Sequence, residues 1–187
     1  MQEIYVDNLA EVLKNKRRIE RELRIRLSNR GKNVFIDGNS EDEFLTLEVM
    51  KAMNVGFSAD TSLLLKEEDV ILQIINIKDI TKRKDFERIR GRIIGTQGRT
   101  LRTLSNLTNC RFAMKDNLVG IIGDSEEIKD AMDGVTLLIQ GSKQGNVYGK
   151  LERQRKAKRL KGRNLGREFK KEENEEDEEY EDEEDNE

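Results

Sequence analysis

The stretch that most limits the folds open to this chain is residues 91–100, Gly-Arg-Ile-Ile-Gly-Thr-Gln-Gly-Arg-Thr. Gly95 and Gly98 lie three apart, and the apolar pair Ile93-Ile94 runs directly into them. Glycines at this spacing let a backbone turn sharply and approach a ligand that a Cβ would hold off. Arg92 and Arg99 flank the turn with charge suited to phosphate oxygens, and Ile93 and Ile94 offer apolar surface for unpaired bases. A nucleotide-cradling loop would need Gly-x-x-x-x-Gly-Lys-Ser/Thr, and a dinucleotide fingerprint Gly-x-Gly-x-x-Gly; neither is present here.

The flanking periodicities give the turn a context. Residues 99–109 place Leu101, Leu104 and Leu107 at three-residue spacing, which predicts an amphipathic helix. Residues 110–115 alternate as a strand does, with Cys110 as a buried small hydrophobe, and Asp116-Asn117 makes a turn. A second strand spans 118–122 and ends at Gly123. Asp124 or Ser125 then caps a helix with Glu126 and Glu127 in its first turn and Ile128, Ala131, Met132, Val135, Leu138 and Ile139 as its apolar positions. Upstream, 70–77 is β-rich and 85–94 reads as a short helix entering the glycine turn.

The order strand, helix, Gly-x-x-Gly, helix, strand, strand, helix resembles a eukaryotic-type KH domain, whose loop clamps about four nucleotides of a single strand. On that pattern, backbone amides and Arg99 hold phosphates while Ile93, Ile94 and the strand 111–115 form a groove for bases. Arg111 and Lys115 share one face of that strand; Cys110, Phe112 and Met114 share the other. Many nucleic-acid-binding KH loops carry Lys or Arg between the glycines, whereas this one has Thr96 and Gln97, so charge must come from Arg92, Arg99 and Arg102. The candidate RNA-binding set is Arg92, Ile93, Ile94, Gly95, Thr96, Gln97, Gly98, Arg99, Arg102, Arg111 and Lys115.

The formal net charge of −3 hides two opposed segments. Residues 172–187 hold thirteen acids and no Lys or Arg; without them 35 basic residues face 25 acidic ones, a net of +10. A basic body suits phosphate binding through counterion release, and a self-repelling acidic tail is expected to stay disordered. Residues 150–171 are dense in Lys and Arg with sparse apolar positions, which reads either as a partly helical extension that seeks phosphates or as a plain solvated tail. The lone Cys110 excludes an intramolecular disulfide, and the absence of any membrane-length apolar run leads to the expectation of a cytoplasmic protein. An enzyme is the rival class. The chain has no His, which removes imidazole catalysis and His metal sites, and one Cys cannot build a zinc cluster, so no catalytic residue, metal site or cofactor is expected. Two other rivals are an RNA-decay adaptor, which would need an additional RNA-binding barrel, and a protein scaffold whose loop has lost RNA binding.

Residues 1–58 read as a worn copy of the same unit. A strand at 3–6, a helical turn through Leu9, Val12 and Leu13, a basic loop at Lys14, Lys16, Arg17 and Arg18 lacking both glycines, strands at 23–27 and 33–37, and a helix at 41–54 follow in order. Leu9, Val12, Ile19, Leu23 and Leu27 fit one long helix about as well; the turn chemistry of Arg30-Gly31-Lys32 before Val-Phe-Ile favours the hairpin. No Pro- or Gly/Ser-rich linker separates the halves, which favours rigid packing.

Four stretches carry a more specific resemblance: Asn54-Val55-Gly56-Phe57-Ser58; Ile89-Arg90-Gly91-Arg92-Ile93-Ile94-Gly95; Val119-Gly120-Ile121-Ile122-Gly123-Asp124; and Leu138-Ile139-Gln140-Gly141-Ser142, followed by Val147-Tyr148 and Leu151-Glu152-Arg153. In these the chain resembles the archaeal two-KH ribosome-assembly proteins, relatives of the eukaryotic partner-of-Nob or Dim factors and, more distantly, of the Krr group. The resemblance implies a non-enzymatic factor that binds small-subunit rRNA near its 3′ end. It also implies contact with the end-processing nuclease and with a translation initiation factor. The expected fold is α+β, two tandem type I KH domains packed together. The first (1–58) is degenerate, a connector spans 59–69, the intact KH domain spans 70–142, a basic extension 143–171, and the acidic tail 172–187.

Overall fold

The computed structural model describes residues 1–160. The expected acidic tail at 172–187 and the basic stretch 161–171 lie outside the described residues. Two three-stranded antiparallel sheets organise the chain. The first is built from β1 (Gln2–Tyr5), β2 (Arg26–Arg30) and β3 (Asn33–Asp37) in the order β1-β3-β2, with helices α1 (Leu9–Leu23) and α2 (Ser40–Val55). A short helix α3 (Ala59–Ser62) and a 3-10 turn (Leu63–Lys66) lead to the second sheet, β4 (Val70–Asn76), β5 (Arg111–Lys115) and β6 (Leu118–Asp124), in the order β4-β6-β5. Its helices are the single turn α4 (Ile77–Ile80), α5 (Phe86–Ile94), α6 (Arg99–Thr108), α7 (Ser125–Gln140) and α8 (144–160). The second half thus has the predicted element order, with each boundary within about two residues of the sequence expectation.

The N-terminal half departs from the expectation in one place. Lys14, Lys16, Arg17 and Arg18 do not form a loop; they lie inside α1. Asn8 caps that helix by accepting from the Glu11 amide, and no Gly or Pro interrupts the apolar stripe Val12, Ile19, Leu23, all buried. The helix ends where Arg24 adopts the left-handed conformation, φ 54°, so β2 begins at Arg26 rather than at 23. The two alternatives were not exclusive: a long helix is followed by the hairpin, whose turn pivots on Gly31 with Arg30 paired to Asn33.

Period-2 burial divides the second sheet between two cores. Ile71, Ile75, Phe112, Met114, Val119 and Ile121 pack with α5, α6 and α7, while Val70, Leu72, Ala113 and Ile122 pack with residues of the first half. The sheet is therefore covered on both faces. The halves pack tightly at Gly120, where a Cβ would lie 2.7 Å from Phe57 Cε2 and 2.9 Å from Val55 Cγ1. On the opposite side Gly123 makes room for Cys110, whose burial pushes its thiol pKa up and keeps it protonated. Asp124 caps α7 by accepting from the Glu126 amide at 2.8 Å. The first part of the basic extension is not an appendage: Val147 and Leu151 of α8 are buried in the second core, Leu151 beside Gly134.

These contacts predict that Gly120→Val, which overfills the seam between the halves, lowers unfolding free energy by about 1–3 kcal/mol in denaturant titration. Gly149→Ala, inside α8 with open space around it, is expected instead to raise it by about 0.5–1 kcal/mol.

Candidate nucleic-acid interface

The glycine turn joins α5 to α6. Gly95 sits at φ 71°, ψ 171°, and an added Cβ would lie 2.7 Å from the Thr100 amide nitrogen and against the Thr100 hydroxyl. Gln97 and Gly98 are both left-handed, φ 52° and 73°, but Gly98 has open space around it. The two glycines thus serve differently: Gly95 permits a close internal approach, and Gly98 permits the conformation. Gly98 donates to the Gly95 carbonyl at 3.2 Å and the Arg99 amide to the Thr96 carbonyl. Thr96 and Gln97 open the turn, where amides have no partner within it, so theirs are the donors left for a ligand.

The turn is braced from behind. Gln144, at the start of α8, donates to Thr100 Oγ1 at 2.8 Å and to the Arg92 carbonyl at 3.2 Å. The Arg92 guanidinium donates to the Ser142 carbonyl at 2.5 Å. Arg92 thereby ties α5 to the α7–α8 connection.

A cleft of about 310 Å³ runs beside the turn. One wall is Gly98 of the turn and α6, with Leu101, Arg102 and Ser105; the other is the β5 edge, with Arg111 and Phe112; Phe57 and Thr61 close it from the N-terminal half. None of these residues is acidic. Arg99, Arg102 and Arg111 are exposed, and Arg102 donates to the Gln97 carbonyl at 2.6 Å, which holds its charge over the turn. The cleft therefore offers open amides and guanidinium groups at one end and aromatic and apolar surface beside them, the combination that grips a phosphate backbone and lays bases against a wall.

Several sequence assignments change. Ile93 is fully buried in the second core and presents no surface to a base; Ile94, its neighbour, is exposed. The signal was available, since Ile93 continues the i, i+4 stripe from Ile89. Lys115 lies on the sheet face covered by the first half and binds Asp7 at 2.6 Å, holding the Asp7 carboxyl below the usual carboxylate range. It is a seam residue rather than a groove residue. Lys16 pairs with Glu20 at 3.8 Å, Arg18 binds Asp60, and Arg17 faces a separate cleft lined also by Arg21 and Arg26. Lys14 is exposed on α1, and none of the four lines the cleft beside the glycine turn. Phe57, Thr61, Leu101, Ser105 and Phe112 were missed; Phe57 and Thr61 enter through a tertiary contact that no local pattern encodes.

Residues 71–156 match the second KH domain of the PNO1 type, described as a eukaryotic type KH-domain (KH-domain type I). The chain is 28% identical over 147 residues to a KH domain-containing protein of Methanocaldococcus jannaschii, covering 75% of this chain and 65% of that one. It is 37% identical over 107 residues to the pre-rRNA-processing protein PNO1 of Kluyveromyces lactis, covering 56% and 39%. Among solved structures, Dim2p of Pyrococcus horikoshii superposes with a TM-score of 0.74 at 29% identity, covering 82% of this chain and 99% of that one. A chain of the a/eIF2alpha-aDim2p-rRNA complex from the same organism gives 0.77 at 27%, covering 83% and 94%. This chain spans less than two thirds of the length of the curated relatives.

The fold and the glycine turn define a protein of mixed α/β structure carrying a type I KH domain. Within that class the chain is similar to the PNO1 and Dim2p proteins.

The internal contact at Gly95 predicts that Gly95→Ala lowers the melting temperature more than Gly98→Ala does, and that Gln144→Ala raises amide exchange at residues 95–98 without unfolding the sheet. Equal melting temperatures for the two glycine variants would contradict the division of roles.

Proposed function

We propose that this chain is a non-enzymatic, single-stranded-RNA-binding factor of small-subunit ribosome assembly that acts near the 3′ end of small-subunit rRNA. The single observation that carries the reading is the glycine turn, with Thr96 and Gln97 exposed, beside an acid-free cleft holding Arg102 and Arg111. Homology to pre-rRNA-processing proteins, and to a Dim2p crystallised with rRNA and a/eIF2alpha, supports the choice of RNA and of a translation initiation factor as partners. Contact with the rRNA 3′-end processing nuclease belongs to the same reading, on the resemblance alone. Among the described residues no helix is long and apolar enough to cross a membrane, in keeping with work in the cytoplasm.

The N-terminal half is part of this proposal as a second, degenerate KH-like unit, over about residues 1–58 with 59–69 as its connector to the KH domain. Its order β1-α1-β2-β3-α2 and sheet order β1-β3-β2 parallel β4, β5, β6 and their helices, with one helix standing where the KH domain has helix, turn and helix. Without a glycine turn it cannot bring amides to a phosphate, and its part is to complete the cleft through Phe57 and Thr61. The exposed Arg155, Lys156 and Arg159 of α8, which border a second cleft beside Leu107, add sequence-independent phosphate contacts.

Replacing Thr96 and Gln97 together with Asp sets two negative charges on the phosphate path. Affinity for a single-stranded oligonucleotide of the small-subunit rRNA 3′ end should fall by about tenfold or more in a fluorescence assay; unchanged affinity would sink the reading. Exchanging Arg155, Lys156 and Arg159 for Gln should reduce the slope of log affinity against log salt by about one to two while leaving sequence preference intact.

A further inference from the structure

The two sheets present four outer strands, β1, β2, β4 and β5. Unpaired strand edges invite pairing with other chains, and native proteins guard them with charge, proline or bulges. β1 carries Glu3, β2 carries Arg26 and Arg30, and β5 carries Arg111 and Lys115. β4 reads Val-Ile-Leu-Gln-Ile-Ile-Asn, seven residues without a charge, and nothing among the described residues pairs with its outer side.

The surface beside this edge is a groove of about 320 Å³ formed by Val70, Ile71, Leu72 and Gln73 with Phe44 and Leu45 of α2 and Leu65. Phe44 in the groove is 64% exposed, and Ile74 farther along the same strand is 39% exposed, high values for large apolar side chains. The rim is acidic. Glu48 lines the groove, and Glu67, Glu68 and Asp69, all exposed, lead straight into β4. Lys66 and Lys51 are paired with Glu22 and Glu48, and the exposed Lys78 lies past the other end of β4. RNA is repelled by such a rim, in contrast to the cleft beside the glycine turn.

We infer that the β4 edge is a docking site for an extended segment of a partner protein, which adds as a fourth strand to the second sheet, seats alternate apolar side chains against Phe44, Leu45 and Leu65, and meets Glu67–Asp69 with flanking Lys or Arg. Main-chain hydrogen bonds supply affinity in this mode and the alternate pockets supply selectivity. The site stands independently of the RNA-binding reading, because it uses a different strand and the opposite charge.

The test uses the full chain and a labelled peptide, Lys-Arg-Val-Thr-Ile-Thr-Val-Arg-Lys, in fluorescence anisotropy. Saturable binding is expected, undisturbed by saturating single-stranded RNA. Phe44→Glu and Ile74→Lys, both at exposed positions, should each weaken it by about tenfold or more, as should N-methylation of alternate peptide amides. Glu67→Lys with Glu68→Lys should weaken it without touching the apolar surface, and RNA affinity should not fall in any of these variants. No binding, binding indifferent to N-methylation, or displacement by RNA overturns the inference. So does sedimentation showing a dimer of this chain that Phe44→Glu dissociates, since the occupant would then be a second copy. Failure of the Thr96 and Gln97 variant to affect RNA binding would leave this result standing, and the reverse also holds.

Discussion

The packing of Phe57 and Val55 onto Gly120 governs much of this structure. A three-stranded sheet covered on one face by helices leaves its other face to solvent, and here that face is apolar at Val70, Leu72, Ala113 and Ile122. The absence of a side chain at Gly120 lets the end of α2 and the segment after it settle onto the strands. The left-handed Gly56 ends α2 so that Phe57 turns inward, and Ser58 caps the short helix that carries Thr61. The same contact that joins the halves thereby brings Phe57 and Thr61 to the rim of the cleft. A change in that seam therefore alters both stability and the shape of the candidate RNA site.

The glycine turn works by a related economy of space. Its interior is filled by Thr100, which Gln144 holds from α8, so the turn is fixed from the side away from the ligand. With no charge at Thr96 or Gln97, its electrostatics come from side chains set around it: Arg99 next to it, Arg102 anchored to the Gln97 carbonyl, and Arg111 across the cleft. Guanidinium groups arranged at a distance, combined with amides at the turn, suit a phosphate path longer than a single group.

Elements with strong local signals were legible in the sequence. The hairpin ending in β3, the cap at Asp124, and the strand-helix order around the glycine turn all follow from period and turn chemistry. The basic run at Lys14 to Arg18 misled because charge was given more weight than the unbroken 3.6-residue stripe from Val12 to Leu23. Ile93 was misassigned for a similar reason: adjacency to the turn outweighed its spacing from Ile89. Lys115 could not be resolved from sequence, since alternation shows which residues share a face of β5 but not that the first half covers that face. Phe57 and Thr61 are separated from Arg111 by some fifty residues of chain, and only the tertiary seam brings them together.

The most direct measurement of the central claim is an NMR titration of the full chain with a short single-stranded RNA. Amide shifts are expected at residues 57–61, 95–102 and 111–112, with the β4 edge and the outer face of α1 undisturbed. Shifts confined to α1 and α8, with the glycine turn and Phe57 silent, would mean that charge alone binds the strand and that the cleft is not its seat.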